Sequence, residues 1–497
     1  MSDSKLTRRK LLAMLGVTGA GALSYSLFER FRGRNTRALP SDGGSSTPTG
    51  TVTDRPQRQH TARGEGNPGD PNSPDGFDGL PPDVVDVREF GAAADGVTDD
   101  TAAIRDALDA IAPAGVVLLP PGEILIDSTE SAPSALTLEE AHRNVAIVGS
   151  GAGDRRTRLL MAPGQEEVHY AIHVTAESMR ADDEVMLSNL AIDLNASEQS
   201  GVGTAIRTEG AKGTFVMQDC HVTSTRNSGI QLAGGMDADI RYCSFEHNGV
   251  DAYGHAISPN QTNRETATTI RNVYCADQRG VSIDVGTDPD TDKQDVTIER
   301  CVLKNSMGGL KVDPTSATVS VSNTAILGDE RTRIPVKMNP FDFYIGEVRL
   351  DNVLIEGGGW PGIDFPNAST LHLRDVAIRN VDNWNEERGI DRGGIRTEGV
   401  DFGSSGRISI HDVGANNDGL ALKLLDGSGS IDTVVHDGTG GLGKTEGVTI
   451  NEENDGGDPL DPDVPSEGEV GPRRHPPTAA GNRSARRAGR TLTRPNR

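Results

Sequence analysis

Two short segments place charged and hydroxyl side chains at alternate positions: Ser282 and Asp284 in RGVSIDVG, Lys311 and Asp313 in GGLKVD. Alternation of this kind puts the polar residues on one face of a strand and the apolar ones on the other. Counted from the glycine before each segment, Ser282 stacks beside Lys311 and Asp284 beside Asp313, about 5 Å apart if the strands are neighbours. Carboxylates that close share a proton or hold a cation, so Asp284 and Asp313 are a candidate metal pair and Ca²⁺ the cofactor it would take. A lysine beside them can act as base or bind a carboxylate of the substrate, and Ser282 would then touch that substrate. His255, in VDAYGHAISPN one segment earlier, completes the candidate catalytic set of Asp284, Lys311, Asp313 and His255. The competing reading is a solvated acidic ladder in which His255 bonds a loop.

Other patterns carry less. Asp288, Asp290, Asp292 and Glu299 have the spacing of a calcium-binding loop, but Lys293 stands where that loop needs glycine and Val296–Glu299 alternates as a strand. Gly149–Gly153 is glycine-rich after a strand, yet DRRTRLLM continues as another strand and not as the helix a dinucleotide loop would open. Aromatic residues are scarce, 10 Phe, 6 Tyr and 2 Trp, so the grouping of Tyr344, Trp360 and Trp384 in one region marks them as candidate sugar-stacking residues. Packing beneath loops is the alternative for all three.

The elements that would position these groups are short strands. LSNLAI (187–192), MQDCHV (217–222), IRYCSF (240–245), IRNVYC (270–275), IERCVL (298–303) and VSNTAI (321–326) share one pattern, repeated in LDNVLI, LRDVAI and IHDVGA. A second strand of the RGVSIDVG type follows most of them. Repeats of this length without helical periodicity, with Gly and Asn between them, predict an all-β, single-stranded parallel β-helix. Cys220, Cys243, Cys275 and Cys301 all fall at inward repeat positions as small hydrophobes. A disulfide between Cys220 and Cys243 is within reach of stacked coils.

The net charge of −24 and 34% hydrophobic content fit a chain that stays soluble in concentrated salt, so a salt-adapted source is expected. The same charge argues against nucleic acid as a partner of the main domain. Residues 1–34 carry Arg8 and Arg9 ahead of an apolar run, the pattern of a twin-arginine export signal. That predicts an extracellular or cell-surface protein, with release and retention at the membrane both open. Residues 35–82 are expected to be a disordered linker, 83–450 the β-helix, and 451–497 a disordered acidic and then Arg-rich tail.

A solenoid needs its first coil covered, and VVDVREFGAAADGVTDDTAAIRDALDAI supplies a strand, a turn and a helix with Ile104, Leu108 and Ile111 on one face. Asp99 or Asp100 is placed to cap that helix. The run FGAAADGVTDDTAAI, followed by VVLLPPGEILI and the coils, resembles the N-terminal cap of the pectate-lyase-like superfamily, in particular its rhamnogalacturonase and epimerase-like branch. The resemblance implies that the parallel β-helix is right-handed, and it implies an acidic polysaccharide as substrate. The polygalacturonase signature is incomplete: Gly254-His255-Ala256 approximates one element, while Asp182–Asp183 and Lys311 lie far from the places it requires. The sequence therefore predicts an exported protein that cleaves a uronate-containing polysaccharide by β-elimination or hydrolysis, as a polysaccharide lyase or glycoside hydrolase. A non-catalytic polysaccharide-binding or adhesin-like β-helix is the alternative.

Overall fold

The computed structural model describes residues 83–473 except 129–132, 151–155, 176–178, 211, 251–253, 261–264, 287–293, 314–316, 339–345, 366–369, 383–392, 415–419 and 438–440. The expected export signal, the linker, the arginine-rich end of the tail, Tyr344, Trp384 and Asp288–Asp292 lie outside the described residues. Of the glycine-rich corner, only Gly149 and Ser150 are described.

Each coil sends one strand to a 12-stranded sheet and the rest of its strand residues to a 22-stranded sheet. Neighbouring coils pair in parallel, as Leu310 does with Val336 and Val348 with Leu371. Parallel strands joined by crossovers within one sheet connect right-handedly. The fold is a right-handed parallel β-helix.

Its core is a set of ladders with one rung per coil. Ile192, Val222, Phe245, Cys275, Leu303, Ile326 and Ile355 stand in register on successive coils. All are at most 1% exposed. Burial of such side chains stabilises the stack by roughly 1.5–3 kcal/mol each. The four cysteines are buried as the repeat predicts, and all are free thiols. The Cys220–Cys243 disulfide is not formed. Each thiol donates instead to a carbonyl two residues back in its own coil, Gln218 at 3.1 Å and Arg241 at 3.2 Å.

Between the two strand segments of the large sheet the chain turns through single left-handed residues. Asn189 (φ 55°), Asp219 (54°), Asn272 (53°), Asn323 (49°) and Asn352 (55°) repeat this corner. Asn and Asp tolerate that conformation better than other side chains, and here they also link coils, since Asn352 Nδ2 donates to Asn323 Oδ1 at 2.8 Å.

The helix Thr101–Ile111 covers the first coils, with Ile104, Leu108 and Ile111 buried. Asp99 accepts from the Thr101 amide at 3.0 Å, as a cap should. Asp100 occupies the N-cap position but turns back to accept from the amides of Ala93 (2.7 Å) and Ala94 (2.9 Å). Asp95 holds its own turn through Val97 and Thr98. All three acids are spent on the cap.

The far end departs from expectation. The boundary expected at 450 falls inside the strand Thr449–Asp455, which pairs with Ser428–His436. Residues beyond it, expected to be disordered, form a strap that runs back over the asparagine corner. Asp463 exchanges two hydrogen bonds with Asn352 (2.9 and 3.1 Å), Glu467 pairs with Lys304 at 2.5 Å, and Arg473 grips Asp219 at 2.6 and 2.9 Å. The acidic composition that reads as disorder is here matched to cations and backbone groups of the coils.

Candidate functional site

The 12-stranded sheet shows one outward position per coil beside the predicted residues. Strand Val281–Val285 pairs with Gly308–Val312, and that with Val336–Met338. The register sets Asp284 beside Lys311, and Lys311 beside Lys337. This corrects the expected stacking of Asp284 on Asp313 and of Ser282 on Lys311. The slip is two residues, so it preserves the face while changing the neighbour. Val281 aligns with Gly308, so Gly280 stands opposite Met307 rather than Gly309, and a Cβ on Gly309 would lie 2.3 Å from Ile326 Cγ2.

The four candidate catalytic side chains converge. Asp284 receives His255 Nε2 on one oxygen at 2.9 Å and Lys311 Nζ on the other at 2.9 Å. Lys311 also donates to Asp313 Oδ2 at 2.8 Å. His255 Nδ1 accepts from the Val281 amide at 3.1 Å, which leaves the proton of a neutral ring on Nε2, facing Asp284. His255, Asp284 and Lys311 are each under 9% exposed. Burial alone would raise the Asp284 carboxyl, but the charges and hydrogen bonds of His255 and Lys311 hold it well below the carboxylate range. Burial likewise opposes the Lys311 charge, and Asp284 and Asp313 overcome it and hold the ammonium above the usual lysine range.

Two expectations change in consequence. Asp284 and Asp313 are joined through an ammonium at contact distance from both, so a Ca²⁺ between them would meet Lys311 Nζ, and the pair does not fit a metal site. Ser282 is fully buried, with Oγ bonded to Ser306 Oγ at 2.9 Å, and so is not placed to touch a polymer.

Next in the row stands Lys337, which the sequence reading missed. It is partly exposed and, among the described residues, forms no hydrogen bond or ion pair. Burial, and after it the charge of Lys311, lowers its proton affinity below that of an ordinary lysine. Among the described residues it has no carboxylate partner, unlike Lys311. The available signal was VKM in RIPVKMNP, which repeats the LKV alternation one coil later without an introducing glycine.

Residues 84–327 match the family described as rhamnogalacturonase A/epimerase, pectate lyase-like. Over these residues, just under half of the chain, the β-helix is similar to that family. Among curated proteins it is 24% identical over 302 residues to mannuronan C5-epimerase AlgE5 of Azotobacter vinelandii, a match covering 60% of this chain and 26% of that one. It is 36% identical over 117 residues to alginate lyase 7 of the same organism, covering 23% of this chain and 13% of the relative. The chain thus spans about a quarter or less of the length of these relatives. A solved structure, the AlgE6 A-module of A. vinelandii, superposes with a TM-score of 0.43 at 14% identity, covering 74% of this chain and 98% of that one.

The remaining described candidates have their bonds elsewhere. Trp360 is half-buried in the turn before strand Ile363–Phe365, with its amide donating to the Arg333 carbonyl at 2.9 Å. Asp183, half of the upstream acidic pair, is spent on Asn144 (3.0 Å) and the Arg180 amide (2.8 Å). Neither contributes to the row.

Proposed function

We propose that the protein acts on a uronate-containing polysaccharide by removing the proton beside the sugar carboxylate, with Lys337 as base. The observation that carries this is a lysine of lowered proton affinity, without a partner among the described residues, next to a buried His255–Asp284–Lys311–Asp313 network. A base needs a lone pair within reach of solvent pH, and Lys337 has the environment for it. The network beside it fixes the Lys311 charge whose repulsion keeps Lys337 ready to be neutral. Arg396, two strands on, supplies a cation for the carboxylate.

The electron pair left at C5 has two fates. It can expel the 4-O substituent, which takes a proton from solvent and leaves a C4=C5 double bond, or it can recapture a proton from the opposite face and invert the centre. Lyase cleavage and C5 epimerisation are the outcomes named for the two curated relatives, and both follow from loss of this one proton. Hydrolysis has less support: it needs a protonated carboxylic acid, whereas Asp284 is held ionised and Asp313 is tied to the same ammonium. Export by the twin-arginine route to the cell surface or medium, in a salt-adapted organism, belongs to the same proposal.

The test is the full chain in high salt, incubated with polymannuronate, polyguluronate and polygalacturonate. Ultraviolet absorbance of unsaturated ends and the C5 configuration are followed together. Either product, lost in Lys337→Met, supports the proposal. New reducing ends without unsaturation would mean hydrolysis, and tight binding without any product would mean a binding module.

A further inference from the structure

The row that carries Asp284, Lys311 and Lys337 holds a second buried ionic network upstream, which the proposed chemistry does not use. Pairing of Ile257 with Ile283 sets Ser258 beside Asp284, and the register runs on from Ser258 to Gln231, Arg207 and His173. Arg207 is 7% exposed. Its Nε donates to Glu209 Oε1 and its Nη1 to Gln231 Oε1, both at 2.7 Å, and the guanidinium lies 5.7 Å from the centre of the Tyr170 ring. His173 Nε2 bonds the other Glu209 oxygen at 3.0 Å. Burial would raise the Glu209 carboxyl, but His173 and Arg207 bring it down to about 2, so the carboxylate that anchors Arg207 is ionised near neutral pH.

Apolar side chains of similar volume often stabilise a fold as well as a buried ion pair does, so the network is distinguished by the group it presents. A guanidinium has donors only, and the Gln231 amide must therefore turn its oxygen to Arg207 and its NH2 away. Gln231 is partly exposed, and among the described residues no acceptor takes that NH2. Ser258, next in the row, does not take it: its Oγ is buried without a hydrogen-bond partner. The network thus ends in a neutral donor whose direction is fixed. It stands two rungs before Asp284 and four before Lys337, roughly 19 Å along the axis, and a polymer lying along the row spans about one sugar per rung.

We infer that Gln231 is a distal substrate-binding residue: its NH2 donates to a carboxylate oxygen of a uronate about four sugars from the one at Lys337, and Glu209 and Arg207 position it. The inference rests on the uronate reading of the Lys337 site. A neutral donor meets the carboxylate with no charge of its own to desolvate, and an amide already oriented loses little freedom on binding. A trimer whose reacting sugar lies at Lys337 does not reach it.

The experiment is steady-state kinetics of the full chain on tri- and octauronates, with thermal unfolding alongside. Gln231→Ala should raise the octauronate KM about tenfold, the effect of one hydrogen bond to a charged group, while the octauronate kcat and the triuronate constants do not follow. Gln231→Glu keeps an oxygen for Arg207 and turns a second one to the substrate, so its thermal stability should hold or rise while the octauronate KM climbs further. A merely structural role would leave the Gln231→Glu KM at the unsubstituted value. An unchanged octauronate KM in Gln231→Ala, or an equal rise for both substrates, overturns the distal contact while leaving the uronate site standing. No product from either uronate with the unsubstituted chain overturns the uronate reading and the distal contact together.

Discussion

Two faces of this solenoid carry ion pairs, and they are built differently. On the asparagine corner each ion pair that holds the strap keeps at least one partner in solvent: the Lys304 and Glu467 side chains are 30% and 47% exposed, and Arg473 is 49% exposed over a buried Asp219. On the outward row of the smaller sheet, Asp284 and Lys311 are 9% and 5% exposed and share one network with His255 and Asp313. Exposed pairs contribute about 0–1 kcal/mol, whereas breaking a buried pair strands a charge and costs several. An apolar ladder would serve stability equally well at the row, as it does inside the coils. The corner uses charge to fasten a segment, and the row keeps charge where chemistry would use it.

The largest effect expected from this contrast is at Asp284. Asp284→Ala leaves Lys311 buried beside one carboxylate and should lower stability by about 3–5 kcal/mol in urea unfolding, with loss of activity. Asp284→Leu with Lys311→Met should recover most of that stability and none of the activity. Full recovery of activity would reduce the row to a structural ladder.

Lys337→Met should separate the two properties. A half-buried amine without a partner is replaced by an apolar chain, so thermal stability should hold or rise, while turnover falls by roughly 10²–10⁴, the usual contribution of a general base. A parallel fall in stability and activity would make Lys337 structural.

The pH dependence sharpens the same point. The lowered Asp284 value contributes stability present above its unfolded pKa, about 3.9, and lost as pH falls through the folded value. The raised Lys311 value contributes stability present below about 10.4 and lost as pH rises through the folded value. Between those limits the network is intact. A rate that rises with pH inside this window, and no longer does so in Lys337→Met, reports deprotonation of Lys337, whose value is lowered.

The smallest effect belongs to the corner. Lys304→Ala should cost about 0.5 kcal/mol or less and should shrink further in high salt. Burial and the Glu467 charge push the Tyr274 hydroxyl up to about 12, so spectroscopic titration of Tyr274 checks whether the strap is docked.

The periodic parts of the molecule were legible because they are enforced locally. The inward ladder through Ile192, Phe245, Cys275 and Ile355 follows from alternation alone, and so does the face on which Asp284 and Lys311 lie. Register between coils was not legible at Gly308-Gly309, since the count assumed that the glycines of successive strands align, whereas Val281 pairs with Gly308 and Gly280 stands opposite Met307. Lys337 was missed for a related reason: its strand follows Pro335 and has no glycine to mark it. The strap was hidden by composition, because Glu467 and Asp463 read as solvated until their partners, more than a hundred residues earlier, are brought beneath them.

The central claim is that a proton leaves C5 of a uronate at Lys337. The direct measurement is incubation of a polyuronate with the full chain in deuterated water, followed by NMR of the sugar ring and its ends. Deuterium at C5, or unsaturated ends, lost with Lys337→Met and retained in Lys304→Ala, is the expected result. Chain shortening with C5–H untouched and saturated ends would contradict it.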